Sequence, residues 1–394
     1  MSATVKAHGM DGTLVEPDWP PLTLAELRLL LAQFPALGEP IEILSVSPRP
    51  FSAAGVVATT KGRVFVKRHH HTVRDAEGLH EEHRFLAYLF EHDARVPRVF
   101  ASAQGETATE IGDWIYEVHD TPEGIDLYED AISWTPFFTA AHAHSAGQAL
   151  ARLHLAAQGF AAPRRKARPL VAGFSIFAAP DPHREMDRYL ADRPLLATNG
   201  AARVHCRQAL QLLAPFHARL SPLLPSLPPL WTHNDLHASN MFWSDAGSEA
   251  RVTAIIDFGL ADRTNAVHDL AQAIERNIVE WLVLVADATH PEDVPVHFDH
   301  LCALLDGYES VRPLTVEEAA ALAPMTALCH GEFALSEADY YLRVLHSDGK
   351  ARMAFDDYLV GHARWFRGPG RALLNVISRW AETRAVRPQE AGRQ

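Results

Sequence analysis

Two short stretches, WTHNDLHASNMFW and RVTAIIDFGL, carry the most chemistry in this chain; they lie between Trp231 and Leu260. His233, Asp235 and Asn240 follow the spacing H-x-D-x-x-x-x-N, and Asp257, Phe258 and Gly259 form an Asp-Phe-Gly. Two carboxylates and a side-chain amide offer hard oxygen ligands. Such a set suits Mg2+, which keeps several waters and borrows the rest of its shell from substrate phosphates. The chemistry this allows is phosphoryl transfer: Asp235 takes or orients a hydroxyl proton, while Asn240 and Asp257 bind metal.

For these groups to meet, the chain between them must fold back on itself. Met241, Phe242 and Trp243 begin a short apolar strand, and Ser244 to Ser248 supply turn residues. Val252 to Ile256 is β-branched and apolar and reads as the returning strand. Asn240 precedes the outgoing strand and Asp257 follows the returning one, so both belong at the open end of one hairpin. Asp235 lies on the loop that leads into that end.

The strings HNDLHASN and IIDFGLADR resemble the aminoglycoside phosphotransferase and choline kinase-like family, the small-molecule relatives of protein kinases. The resemblance covers about residues 41 to 365 and is strongest from Trp231 to Trp281. It implies an α+β, bilobal protein-kinase-like fold with a sheet-rich N-lobe and a mainly helical C-lobe. The divisions it suggests are an N-terminal extension (1–40), a nucleotide-binding N-lobe (41–118) and a catalytic and acceptor-binding C-lobe (119–394). ATP and Mg2+ are the implied cofactors. Lys67, at the end of the strand Val64, Phe65, Val66, matches the family's phosphate-binding lysine. Glu82, on a helix from Leu79 to Phe90, matches the glutamate that holds it. Adenine is expected to meet the backbone from Glu117 to His119, after the strand Asp113 to His119. Asp269 matches an acid that braces the catalytic loop. Asn234 stands where many relatives carry Gly or Ser.

Other segments read as follows. Leu24 to Phe34 has helical periodicity with a Thr23/Glu26 capping box, and is expected to pack on the outside of the first lobe. The loop from Ser45 to Gly55 lacks a glycine array. His69, His70 and His71, with His80 and His83 nearby, could suggest metal, but a solvated, strand-exit run is the favoured reading. Arg164, Arg165, Lys166 and Arg168 read as solvated basic residues on a surface insertion. Ser145 to Gln158 is a helix in which His154 is a packed structural histidine. A long helix is expected from Asp269, its N-cap, through Leu270, Ile274, Ile278 and Trp281. On a helix from Ala327 to Leu345, Glu332, Ser336 and Asp339 share a stripe. Its acids, Glu332 and Asp339, are candidates for binding an amine of the acceptor.

The bulk numbers bound the rest. The chain has 394 residues, a formal charge of −13 and three isolated cysteines without metal-ligand or redox spacing. The acidic balance argues against nucleic acid as a partner. No apolar run approaches the length of a membrane span and no apolar signal core opens the chain, so a cytoplasmic protein is expected. The function expected is transfer of the γ-phosphoryl group of ATP to a hydroxyl of a small molecule: an aminoglycoside, an amino alcohol or a homoserine-like acceptor. The alternatives are a catalytically silent kinase-like binding protein and a protein kinase. Against the last, the loop lacks an Arg before Asp235 and no Ala-Pro-Glu follows Asp257.

Overall fold

The computed structural model describes residues 7–8, 14–166, 169–286 and 291–385. Arg168 lies outside them. Its N-terminal part is an antiparallel sheet of five strands: β1 (Pro40–Val46), β2 (Ala53–Thr59), β3 (Gly62–His70), β4 (Thr109–Ile111) and β5 (Trp114–His119), in the order β1-β2-β3-β5-β4. In the β3–β5 ladder Lys67 stands opposite Glu117 and Phe65 opposite His119. Helix α1 (Leu24–Leu31) starts at Thr23, whose side chain accepts from the Glu26 amide. Leu27, Leu30, Leu31 and Phe34 bury themselves against Val57, Val64 and Val66 of the sheet. Each such side chain contributes about 1.5–3 kcal/mol. Helix α2 (Ala76–Glu91) is capped by Asp75 and buries Glu82, Phe85, Leu86 and Leu89.

The C-terminal part is mainly helical. Helix α3 (Ala140–Ala156) packs on α6 (Phe298–Glu309), and α4 (Gly200–Leu220) on α7 (Val316–Leu328). Between them run two small antiparallel ladders. One pairs β6 (Pro229–Thr232) with β9 (Asp262–Asn265); the other pairs β7 (Met241–Trp243) with β8 (Val252–Ile255). Beyond β9 come α5 (Ala266–Ile278), α8 (Gly331–Arg343), α9 (His362–Arg367) and α10 (Arg371–Ala385). Among the described residues no helix is long and apolar enough to cross a membrane.

Two helices differ from the sequence reading. Asn265, not Asp269, caps α5, and its side chain accepts from the His268 amide. The long helix also stops at Ile278, where Val279 turns to extended geometry before a short helix resumes at Trp281. The helix expected from Ala327 to Leu345 is two helices, because the chain breaks at Cys329 and His330 between α7 and α8. In both places apolar periodicity continues across a break that tertiary packing imposes.

Candidate active site

The β7–β8 hairpin brings the two motifs together. Ile255 pairs with Met241, and the Ile256 amide donates to the Asn240 carbonyl at 2.9 Å. Asn240 and Asp257 therefore flank the hairpin's open end. The loop before it is held from below by Asp269. This buried carboxylate accepts from the amides of His233 (2.9 Å) and Asn234 (2.7 Å) and pairs with His154 Nε2 (2.9 Å). His154 Nδ1 in turn meets the Tyr308 hydroxyl at 2.7 Å. Burial works against the charge on Asp269, but His154 and the loop amides hold it below the usual carboxylate range. His233 joins the two motif strands: its Nε2 meets the Ile256 carbonyl at 2.9 Å, and its Nδ1 accepts from the Asp235 amide at 3.1 Å.

Two backbone turns in this region are left-handed, with φ of 61° at Asn234 and 59° at Asp257. Asn and Asp tolerate this region better than other non-glycine residues. Asn234 also uses its side chain: Oδ1 accepts from Thr232 (2.9 Å) and Thr264 (3.2 Å), tying the loop to β6 and β9.

Each catalytic-candidate acid has a cation. Asp235 Oδ1 lies 2.9 Å from Arg276 Nη1, and its Oδ2 accepts from Asn240 Nδ2 at 3.3 Å. Burial raises Asp235 above the ordinary Asp range even though Arg276 opposes the shift. Asp257 Oδ1 lies 2.8 Å from Lys67 Nζ and accepts from the Gly259 amide at 3.3 Å. Burial disfavours both charges of that pair. Their mutual attraction wins, so Lys67 is raised and Asp257 lowered. Because Asn240 donates through Nδ2, its Oδ1 is the atom left to face a ligand. With the second oxygen of Asp257 it makes a hard donor pair that fits a divalent cation of the Mg2+ type.

Two cavities share this wall. The outer one is lined by the end of β1 (Ser45, Val46) and the loop after it (Ser47, Pro48, Arg49), by Glu117, His119 and Thr121, and by Glu82 and Phe242. The inner one is lined by Asp235, His237, Arg276, Trp134 and Phe333. Arg49, Ser52, Lys67, Asn240 and Asp257 line both. The inner cavity is the smaller of the two.

Several expected placements change. Lys67 pairs with Asp257, whereas Glu82 Oε2 lies 3.5 Å from Arg165 Nη2; no Lys67–Glu82 ion pair forms. Arg165 is not solvated. Its guanidinium donates to the carbonyls of Gly259 and Gly78, so it stitches the Asp-Phe-Gly turn to α2. His69 and His83 are buried against Glu117, with His119 as a third neighbour; only His71 of the run is exposed. Glu332 and Asp339 line neither cavity. Glu332 accepts from the amides of Ser175 and Ile176, Ser336 from the amide of Val171, and Asp339 lies 4.0 Å from Arg193 Nε. The reason is that α8 is buried on every side from Gly331 to Tyr341, so its polar stripe faces protein. Sequence reasoning missed Arg276 and Arg49. The one available signal for Arg276 was a Glu-Arg pair between Ile274 and Ile278 on a helix buried all round.

With this geometry in place, a model of the phosphotransferase enzyme family matches residues 52–314. The chain belongs to that family. Among curated relatives of the family fold, homoserine kinases from Gluconacetobacter diazotrophicus and Hyphomonas neptunium are 28% and 30% identical over 64% and 56% of this chain. The chain covers less than two thirds of either relative, 66% and 59%. A solved amicoumacin kinase, hAmiN, in complex with AMP-PNP, Ca2+ and Ami, superposes with a TM-score of 0.55 at 13% identity. It covers 85% of this chain and 93% of its own, a likeness of fold. The fold is thus the bilobal, protein-kinase-like one of this family.

Proposed function

We propose that the protein transfers the γ-phosphoryl group of ATP to a hydroxyl of a small molecule. The observation that carries this reading is the wall shared by the two cavities, where Lys67, Asn240 and Asp257 stand between an outer cleft and Asp235. The nucleotide takes the outer cleft, with its base against the backbone around Glu117 and His119 and its phosphates at Lys67. Asn240 Oδ1 and Asp257 would hold Mg2+, which neutralises developing phosphate charge when bound. The acceptor takes the inner cavity. Its oxygen attacks the γ-phosphorus, the bond to the bridging oxygen breaks, ADP leaves, and the acceptor's proton passes to Asp235. The raised basicity that burial gives Asp235 suits that task, and Arg276 opposes the rise. Most of the acceleration comes from positioning and charge neutralisation.

The acceptor's class is narrowed by what lines the inner cavity. With Glu332 and Asp339 elsewhere, the charged side chains that line it and not the outer cleft are Asp235 and the guanidinium groups of Arg74 and Arg276, with Arg49 shared, beside the rings of Trp134 and Phe333. That polarity and the smaller volume favour a compact hydroxylated acceptor bearing a carboxylate, homoserine-like, over a polycationic aminoglycoside. The relatives named homoserine kinase support the same choice. A coupled assay of ADP release tests it over homoserine, amino alcohols and aminoglycosides. Homoserine or a close hydroxy-amino acid is expected to give turnover that Asp235→Asn abolishes. Turnover with aminoglycosides alone overturns the acceptor class, and none with any hydroxyl compound overturns the activity.

A further inference from the structure

Beyond the cleft, three elements far apart in sequence deliver one buried cluster. Glu275 comes from the last turn of α5, His330 from the entry to α8, and His362 from the start of α9. Their side chains are at most 4% exposed. His330 Nδ1 lies 3.4 Å and His362 Nδ1 3.2 Å from Glu275 Oε1. Neither approach has hydrogen-bond geometry. Both oxygens of Glu275 and all four ring nitrogens of the two histidines are buried without a hydrogen-bond partner. Buried polar groups in native interiors are nearly always paired, so six such atoms in one cluster require an explanation.

We propose that Glu275, His330 and His362 form a buried site for a divalent transition metal of the zinc type. Donor atoms from the three residues lie within 4.8 Å of one another. Two ligands on a tetrahedral zinc, each about 2.0–2.2 Å from it, sit about 3.3–3.6 Å apart. The observed 3.4 Å falls on that edge and 3.2 Å just below it, and both are long for a charge-assisted hydrogen bond. Imidazole with carboxylate selects zinc and its neighbours over Mg2+. The His330 and His362 rings are 4.3 Å apart, so one ion can reach both. The surroundings are those of an enclosed site: Trp281 stacks on the His362 ring at 3.7 Å, and Tyr358 and Trp134 meet the two histidines edge-on. The ion would clamp α5, α8 and α9 together one residue away from Arg276, the partner of Asp235.

The test uses the full-length protein stripped with a chelator, then exposed to Zn2+ or Co2+ in excess Mg2+ and exhaustively dialysed. Elemental analysis is expected to find one Zn2+ per chain. Co2+ should give the intense visible absorption of a four-coordinate site, and Zn2+ should raise the unfolding temperature. His330→Leu and His362→Leu should each weaken zinc by at least about 10–100-fold, the loss that even supporting groups cause. Asp257→Ala and His83→Leu should leave the stoichiometry at one. Failure of the wild type to retain zinc overturns the site, as does equal retention by the His330→Leu/His362→Leu double variant. Should those variants misfold, a weak octahedral cobalt spectrum in the wild type is by itself a refutation. None of these readouts depends on turnover, so they stand apart from the kinase assignment.

Discussion

Two buried glutamates ringed by histidines stand behind the two acids of the cleft, and they are built differently. Glu117 lies across the ladder from Lys67, the partner of Asp257; Glu275 precedes Arg276, the partner of Asp235. Around Glu117 the contacts from His69, His83 and His119 are 2.9, 2.9 and 2.8 Å, all hydrogen bonds. Burial opposes its charge, yet the histidines hold Glu117 well below the usual carboxylate range. Around Glu275 the contacts are a few tenths of an ångström longer and none is a hydrogen bond. The residue types and the burial are alike in the two clusters. Contact length together with hydrogen-bond geometry separates a cluster closed by protons from one that fits an ion.

The comparison can be broken first at the acids themselves. Asp235→Asn is expected to lower kcat by about 10²–10⁴-fold while metal-dependent nucleotide binding persists. Asp257→Ala is expected to lose that binding, as calorimetry with and without Mg2+ will show. Equal effects from the two variants would deny them separate roles.

Next in size is Glu117→Gln, which removes the charge that three buried histidines share and turns an amide NH2 donor toward at least one of them. A loss of about 3–5 kcal/mol in urea unfolding is expected. A depressed carboxylate contributes stability above its unfolded pKa and loses it as pH falls through the folded value. The difference from wild type should therefore be full above about pH 4.5 and shrink below it.

A third test uses Arg276→Met. In the proposed mechanism Asp235 acts ionised, so kcat is expected to fall as pH drops through its raised pKa. Removing the cation that opposes the rise should move that acidic limb to higher pH, and a shift the other way would sink the assignment. The smallest effect sharpens the contrast most. His83→Leu removes hydrogen bonds to Glu117 and Thr107 and should cost about 1–3 kcal/mol. His362→Leu in chelated protein removes no hydrogen bond, only the stack on Trp281 and the approach to Glu275, so its unfolding midpoint should move less than that of His83→Leu.

Much of the site was legible in the sequence because its groups are close in the chain. Asp235, Asn240 and Asp257 sit on one hairpin whose turn residues and strand pattern are local. The brace from Asp269 followed from the family resemblance. What could not be read is what distant elements bring. Arg165 and Glu82 meet across 83 positions, and Arg276 reaches Asp235 from a separate helix. Periodicity reports a helix with one buried face. It does not report that α5 and α8 are enclosed on all sides, which is why Glu332 and Asp339 read as a pocket wall and Glu275 was passed over. Hydrogen-bonding residues at the start of a helix are also interchangeable on paper: Asn265 and Asp269 both look like caps, and only the fold assigns one to the helix and the other to the loop.

The left-handed turns at Asn234 and Asp257 also set how much change each position can absorb. At a φ near +60° the affordable alphabet shrinks to Gly, Asn and Asp. Chemistry then divides the two positions. At 257 the proposed function needs a metal-binding carboxylate, so one letter remains. At 234 Asn keeps the bonds to Thr232 and Thr264, Gly keeps the backbone but loses them, and Asp adds a buried charge next to Asp235 and Asp269. In a saturation library selected for activity, position 257 should return Asp alone, and position 234 should return Asn, then Gly, with Asp depleted.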